Sequence, residues 1–441
     1  MANASQPASE YSQRLQARTV ALHHTERQHL RIGNARLLIF LAAALLAWLW
    51  WGENRLPWFS LLLPVAAFIL LVVVHQRVLH TRDCASRSIA FYQRGIDRIE
   101  DRWSGKGESG ERFADPAHPY AEDLDLFGKG SLFELLCTAR TRGGEAMLAR
   151  WLLAPASREQ VRARQLAVDE LRSRLDLRED LALLGEDFRS GVHPRELADW
   201  GATPPVVFPR IARLIALALS AIGLVLLMAA ILTLFMEPRV RIALVSLGLV
   251  EAVFVLRYRR NVAHVAHAVE QPGHDLALLS QVLHRLERER FTSPRLAELR
   301  AALDVAGVPA SKRIATLKRL VDLLDSRDNV VVRVFGPLLL WTTQTAFAIE
   351  KWRQTSGPAV AGWLEAVAEI EALSSLAGYA YERPNDPFPE FSDDKPLFKG
   401  EGLAHPLLPE SRCVRNDVDL DPSRHLLIVS GSNMSGKSTL L

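Results

Sequence analysis

With 53 Lys and Arg against 50 Asp and Glu, the 441-residue chain has room for two or three domains and a net charge of only +3, too small to mark a nucleic-acid binder by itself. Cys84, Cys137 and Cys413 lie far apart, with no CxxC pair and no His at ligand spacing, which excludes a disulfide scaffold and fits a reducing compartment. The 49% hydrophobic content is uneven, with long apolar runs set among Arg-rich and Glu-rich helical stretches.

A polar segment, 1–36, opens the chain and is unlike a cleavable signal peptide. The first apolar run, Leu37 to Trp51, is broken by Gly52-Glu53-Asn54-Arg55; the second runs from Leu56 to Val74. Together they predict a membrane hairpin over 37–74. Trp48, Trp50, Trp51 and Trp58 around its turn suit a membrane interface. A cytoplasmic helix and a Gly- and Pro-rich loop are expected over 75–119. From Ser131 to Leu153 the spacing of Leu132, Leu135, Leu136, Met147, Leu148, Trp151 and Leu152 is helical, with a break at Gly143-Gly144. A further helix starts near Ser157, with Glu159 in its first turn, and passes Leu175.

The third run, Leu214 to Met236, has 23 residues without a charge. As a helix it spans roughly 34 Å, enough for a bilayer core. The fourth, Ile242 to Leu256, is shorter and contains Glu251, which is read as lying near the interface or paired among the helices. A second hairpin is therefore expected over 211–256. Arg18, Arg27, Arg31 and Arg36 precede the first hairpin and Arg77, Arg82, Arg87 and Arg94 follow it; Arg257, Arg259 and Arg260 follow the second. Both chain ends and the middle region are thus expected in the cytoplasm.

Helices are predicted at 261–270, 274–290, 295–305, 311–326, 330–352 and 358–378. Arg333, Pro337, Thr342, Thr343 and Gln344 keep the fifth of these from reading as a membrane span. His264 and His267, three apart, read as a polar helix face rather than a metal site. A Pro-rich, acidic linker covers 381–400. After it the periodicity changes: Cys413 to Leu420 and His425 to Ser430 read as short strands.

The second of these strands leads into Gly431-Ser432-Asn433-Met434-Ser435-Gly436-Lys437-Ser438, a complete GxxxxGK[ST] pattern followed by Thr439. The glycines let consecutive backbone N–H groups curl around phosphate oxygens, Lys437 offers a point charge to the β- and γ-phosphates, and Ser438 offers a hydroxyl to Mg²⁺. Residues from Thr439 begin a helix whose positive end favours the anion. An α/β nucleotide-binding domain is therefore expected to start at 401. ATP and Mg²⁺ are the expected ligands. Hydrolysis also needs an acidic strand end and a water-positioning group, so a chain ending at Leu441 is expected to bind nucleotide poorly and hydrolyse none.

Three stretches resemble the MutS-type DNA mismatch repair ATPases. The form GSNMSGKST at 431–439 is the most specific. His405-Pro406 with Cys413-Val414-Arg415-Asn416-Asp417-Val418 is similar to the entry of that family's ATPase domain, and this implies that Cys413 and Val414 contact adenine. Asp123-Leu124-Asp125-Leu126-Phe127, Thr141, Gly144, Leu148, Trp151-Leu152, Pro155, Arg164-Gln165 and Val168 are similar to its core or lever helices. The resemblance covers roughly 120–190 and 262–441. The implied fold is mainly α: four transmembrane helices in two hairpins, core and lever helices over 120–210 and 257–380, and the start of an α/β P-loop domain. Membrane hairpins stand where the family has its mismatch-reading domain and DNA clamp. Neither Phe235-Met236-Glu237 nor Phe388-Pro389-Glu390 is read as the family's Phe-x-Glu wedge.

The expectation is a multi-pass protein of a bacterial inner membrane whose full form is a homodimeric, ATP-driven conformational switch, with DNA binding implied by resemblance only. Two other readings stay open. An ABC-type transporter would carry an LSGGQ-like segment downstream. A membrane scaffold with a vestigial loop would be indifferent to Lys437→Ala.

Overall fold

In the computed structural model, residues 5–51, 62–189, 194–233, 236–270, 276–392, 397–432 and 436–440 are described. The chain is mainly helical: α1 (Ser5–Trp51), α2 (Leu62–Ile99), α3 (Leu132–Leu136), α4 (Arg142–Leu153), α5 (Arg158–Arg172), α6 (Leu175–Arg189), α7 (Pro194–Ala202), α8 (Arg210–Leu232), α9 (Pro238–Glu270), α10 (Leu276–Glu287), α11 (Pro294–Ala302), α12 (Ala310–Asp325), α13 (Val330–Phe335), α14 (Trp341–Glu382) and α15 (Lys437–Leu440). Two small antiparallel sheets join them: β1 (Asp304–Val305) with β2 (Val308–Pro309), and β3 (Phe398–Leu403) with β4 (Asn416–Leu420). The chain divides into two units, one of 1–137, 172–179 and 376–441, the other of 138–171 and 180–375.

In the first unit α1 and α2 run side by side, and Gly95 admits the buried ring of Tyr11; a Cβ at 95 would come within 2.4 Å of that ring. Several polar groups along this seam are paired. Arg98 grips Glu382 with both arms of its guanidinium, and Tyr11 Oη donates to the same carboxylate at 3.2 Å. Arg18 holds Glu179 through two bonds of 2.9 and 3.0 Å. Phe113, Phe127 and Phe133 cluster with ring centroids 5.6 to 6.0 Å apart, and the Glu134 carboxylate accepts the backbone N–H groups of Gly107 and Gly130. Leu126 and Phe127, singled out by the resemblance, are thus the apolar floor of this loop.

In the second unit α14 is the spine. Trp352 stacks on Trp200 of α7 at 6.0 Å, and Gly201 and Gly357 meet backbone to backbone. Glu350 and Arg353, both almost wholly buried, pair at 2.9 Å; Arg353 also reaches the Pro204 carbonyl and Glu350 takes the Val206 N–H. The predicted break before 358 is absent: Pro358 lies inside α14. Pro358 and Gln354, whose carbonyl loses its helical donor, are both exposed residues. The break placed at Gly143-Gly144 instead falls at 137–141, because Thr141 caps α4 by accepting the Gly144 N–H at 2.9 Å.

Among the described residues, three helices are long and apolar enough to cross a membrane: the Gln6–Leu49 part of α1, α2, and α8. The expected fourth segment, Ile242 to Leu256, lies inside α9 and is not among them. It has 15 residues, contains Glu251 and is bounded by Arg241 and Arg257. The turn expected at Gly52–Arg55 lies outside the described residues. On α8 the small side chains Ala212, Ala216, Ser220, Gly223 and Ala230 face inward, and Ser220 donates to the Leu339 carbonyl at 2.8 Å. Leu214, Leu217, Leu224, Val225 and Met228 face outward and are exposed. In water each such side chain forgoes about 2 kcal/mol of burial, a penalty that lipid removes. Glu251 sits on the inward side of α9, buried, and its Oε1 has no hydrogen-bond partner among the described residues.

Candidate functional site: the glycine loop at 431–440

The segment leading to the loop is built on the β3–β4 ribbon, whose register shifts between Gly400 and Leu403. Beyond β4, Asp421 folds a tight turn: its carboxylate accepts the N–H groups of Ser423 and Arg424 at 2.7 and 2.9 Å and the Ser423 hydroxyl. The Ser423 hydroxyl and the backbone N–H groups hold the Asp421 carboxyl below its ordinary range. A strand was expected at Cys413–Leu420; only Asn416–Leu420 forms one, and it pairs with a strand that begins within the predicted linker.

The second expected strand, His425 to Ser430, is not formed. A strand requires a ladder partner, and among the described residues none pairs with this run. Leu426 and Ile428 are accordingly 76% and 78% exposed. The strand–loop–helix context that the sequence predicts for an α/β domain is therefore present here only as loop and helix.

Within the loop, Gly431 and Ser432 are exposed, Gly436 has φ +83°, and Lys437 opens α15, which also carries Ser438 and Thr439. The left-handed backbone at Gly436 is one that only glycine adopts without strain, and it turns the chain into the helix. Lys437 Nζ folds back over the loop and donates to the carbonyls of Gly431 at 2.5 Å and Ser432 at 3.0 Å. Positions 431, 432 and 437 of the predicted site are thus brought together. Asn433, Met434 and Ser435 lie outside the described residues. A flexible ammonium held by main-chain carbonyls can exchange them for other oxygens, phosphate included, without moving its backbone.

Of the positions expected to contact adenine, Val414 is 77% exposed, while Cys413 Sγ accepts the His405 backbone N–H at 3.3 Å. Two residues singled out by resemblance, His405 and Cys413, are therefore neighbours. His264 and His267 are both exposed on α9, as a polar face would be. Sequence reasoning missed Glu371, whose buried carboxyl joins Thr141 and the Arg140 N–H. Two acidic residues, Glu369 and Glu371, in an otherwise apolar and small-residue stretch (Ala366 to Ala377) are the available signal.

Comparisons with known proteins agree with part of this picture. Part of the chain is similar to the DNA mismatch repair protein MutS of Ehrlichia chaffeensis, 29% identical over 128 residues, covering 28% of this chain and 14% of that protein. The MutS proteins of Listeria welshimeri and Thermotoga maritima are 37% and 38% identical over 81 and 79 residues, 18% of this chain in each case, and 9% and 10% of their own length. The chain therefore matches no more than about a seventh of these curated relatives. No family model and no solved structure matches it. The relationship established is a partial one to MutS proteins.

Proposed function

We propose that this chain is a membrane-anchored, MutS-related nucleotide-binding protein, with Gly431–Ser438 as the cradle for the triphosphate of ATP. Backbone N–H groups of the loop and Lys437 would hold phosphate oxygens, Ser438 would ligate Mg²⁺, and Thr439 would continue the helix behind them. ATP with Mg²⁺ supplies the free energy for a conformational change; the chain's own residues bind and orient the phosphates. The observation that carries this reading is Lys437 Nζ lying over the Gly431 and Ser432 carbonyls, beside the left-handed turn at Gly436. Cys413 and Val414 are assigned to the adenine side.

Four membrane helices in two hairpins, over 37–74 and 211–256, anchor the protein in a bacterial inner membrane with its soluble parts in the cytoplasm. The outward apolar face of α8 and the inward, small-residue face support this reading. A homodimer is the working assembly, and DNA is the partner suggested by the MutS relatives.

Two measurements test the proposal on the full form of the protein, purified from membranes. A fluorescent ATP analogue should be retained and then displaced by unlabelled Mg-ATP; no retention overturns the nucleotide half. Alkaline washing of the membranes should leave the protein in the pellet, and its release overturns the anchored half. Binding to duplex DNA, if inherited, falls steeply as salt rises; binding at background level at low salt removes DNA from the assignment.

A further inference from the structure

The second unit holds a cavity of about 280 Å³ beside the C-terminal half of α9. Its wall includes Val255, Arg259, Val262 and His267 from α9, Arg327 from the 3-10 turn Ser326–Asp328, and Thr343 from the first turn of α14. That volume is of the order of small-ligand sites. Two of these side chains, Arg259 and Arg327, are cationic, and none of the described lining residues is acidic.

The lining is graded along α9. Val255 belongs to the apolar stretch that ends at Leu256, and His267 lies twelve residues further on, roughly 18 Å along the helix axis. Arg259 falls between them, at the level where an apolar interior would give way to water. Thr343 stands on the first turn of a long helix, whose positive end favours an anion. An apolar wall at one end with guanidinium groups beside it is what a phosphate group attached to hydrocarbon requires. A soluble anion would have no use for Val255 and Val262.

We infer that this cavity binds a phosphate-bearing anion, with Arg259 and Arg327 on the phosphate, and that its source is the headgroup of an anionic phospholipid whose chains lie along α9. This rests on the membrane reading above. Bound lipid would fix the α9–α14 contact to the membrane surface and make that contact sensitive to lipid composition.

The test uses the full chain in detergent. Native mass spectrometry is run with phosphatidylglycerol, phosphatidylcholine or inorganic phosphate added. The wild type should retain phosphatidylglycerol over phosphatidylcholine by about tenfold. Arg259→Gln and Arg327→Gln should each lower that retention about fivefold. Arg260→Gln, outside the lining, should leave it unchanged, and Arg259→Lys should preserve most of it. Phosphate alone displacing the lipid at millimolar concentration would support the anion site and reassign its source to solution. Equal retention of both lipids, or equal effects of Arg260→Gln and Arg259→Gln, overturns the proposal. If alkaline washing leaves the protein in the membrane while lipid selectivity is absent, the cavity proposal alone fails; if washing releases it, the membrane reading fails first.

Discussion

Thr141 and Glu371 are bonded to each other inside the second unit: the Thr141 hydroxyl donates to Glu371 Oε2, and Thr141 Oγ1 in turn accepts the Gly144 N–H at 2.9 Å. One side chain therefore caps α4 and ties it to α14. Burial is the chief influence on the Glu371 carboxyl and pushes it up to about 7, against the pull of the Thr141 hydroxyl and nearby N–H groups. Its unfolded value is near 4.5. The folded state thus holds a proton that the unfolded chain has released, so this group's contribution is fully present below about pH 4.5 and is lost as pH rises through about 7. Thermal unfolding followed from pH 5 to pH 8 should show a decline that Glu371→Gln flattens. A decline of equal slope in the variant contradicts the assignment.

Gly201 and Gly357 approach so closely that a Cβ on either would lie 2.7 or 2.5 Å from the other's carbonyl oxygen. Neither obstacle is a flexible side-chain tip, so one helix must shift. Gly201→Ala and Gly357→Ala are each expected to destabilise by about 1–3 kcal/mol. Because Trp200 and Trp352 stack beside this contact, tryptophan fluorescence should change with the same substitutions. Unchanged stability and emission would show that the two helices are not in contact.

Arg98 and Glu382 form the buried ion pair of the first unit, with the Glu382 side chain almost wholly enclosed. Replacing Arg98 with Met leaves that carboxylate uncompensated and should cost about 3–5 kcal/mol. The double replacement Arg98→Met with Glu382→Leu should recover part of the loss, since an apolar pair removes the desolvation penalty while the buried Tyr11 hydroxyl loses its Glu382 acceptor. Denaturant midpoints of the two variants decide it: a double variant as unstable as the single one would mean that the pair is not the origin of the effect.

The helical content and the apolar runs could be read from spacing alone, because 3.6-residue periodicity and charge-free length are local properties. Thr141 and Gly144 were singled out by resemblance, and the structure supplies their reason: the cap, and a Cβ at 144 that would strike Glu371. What was not legible depended on partners distant in the chain. Pro358 reads as a helix start, yet α14 continues through it at an exposed position of the helix. The run His425 to Ser430 reads as a strand from composition, yet composition does not supply the neighbouring strand that a ladder needs. In the glycine loop, the pattern located the residues, but not the capture of Lys437 by two carbonyls.

If the backbone around Lys437 is a nucleotide cradle, the unfolding midpoint of the full form, purified from membranes, moves when Mg-ATP is added. A ligand that binds only the folded state at a hundred times its Kd stabilises by about 2.7 kcal/mol. Mg-ATP should raise the midpoint, and Lys437→Ala should abolish that shift while leaving the ligand-free midpoint in place. An identical midpoint with and without Mg-ATP, or a shift that survives in Lys437→Ala, would contradict it.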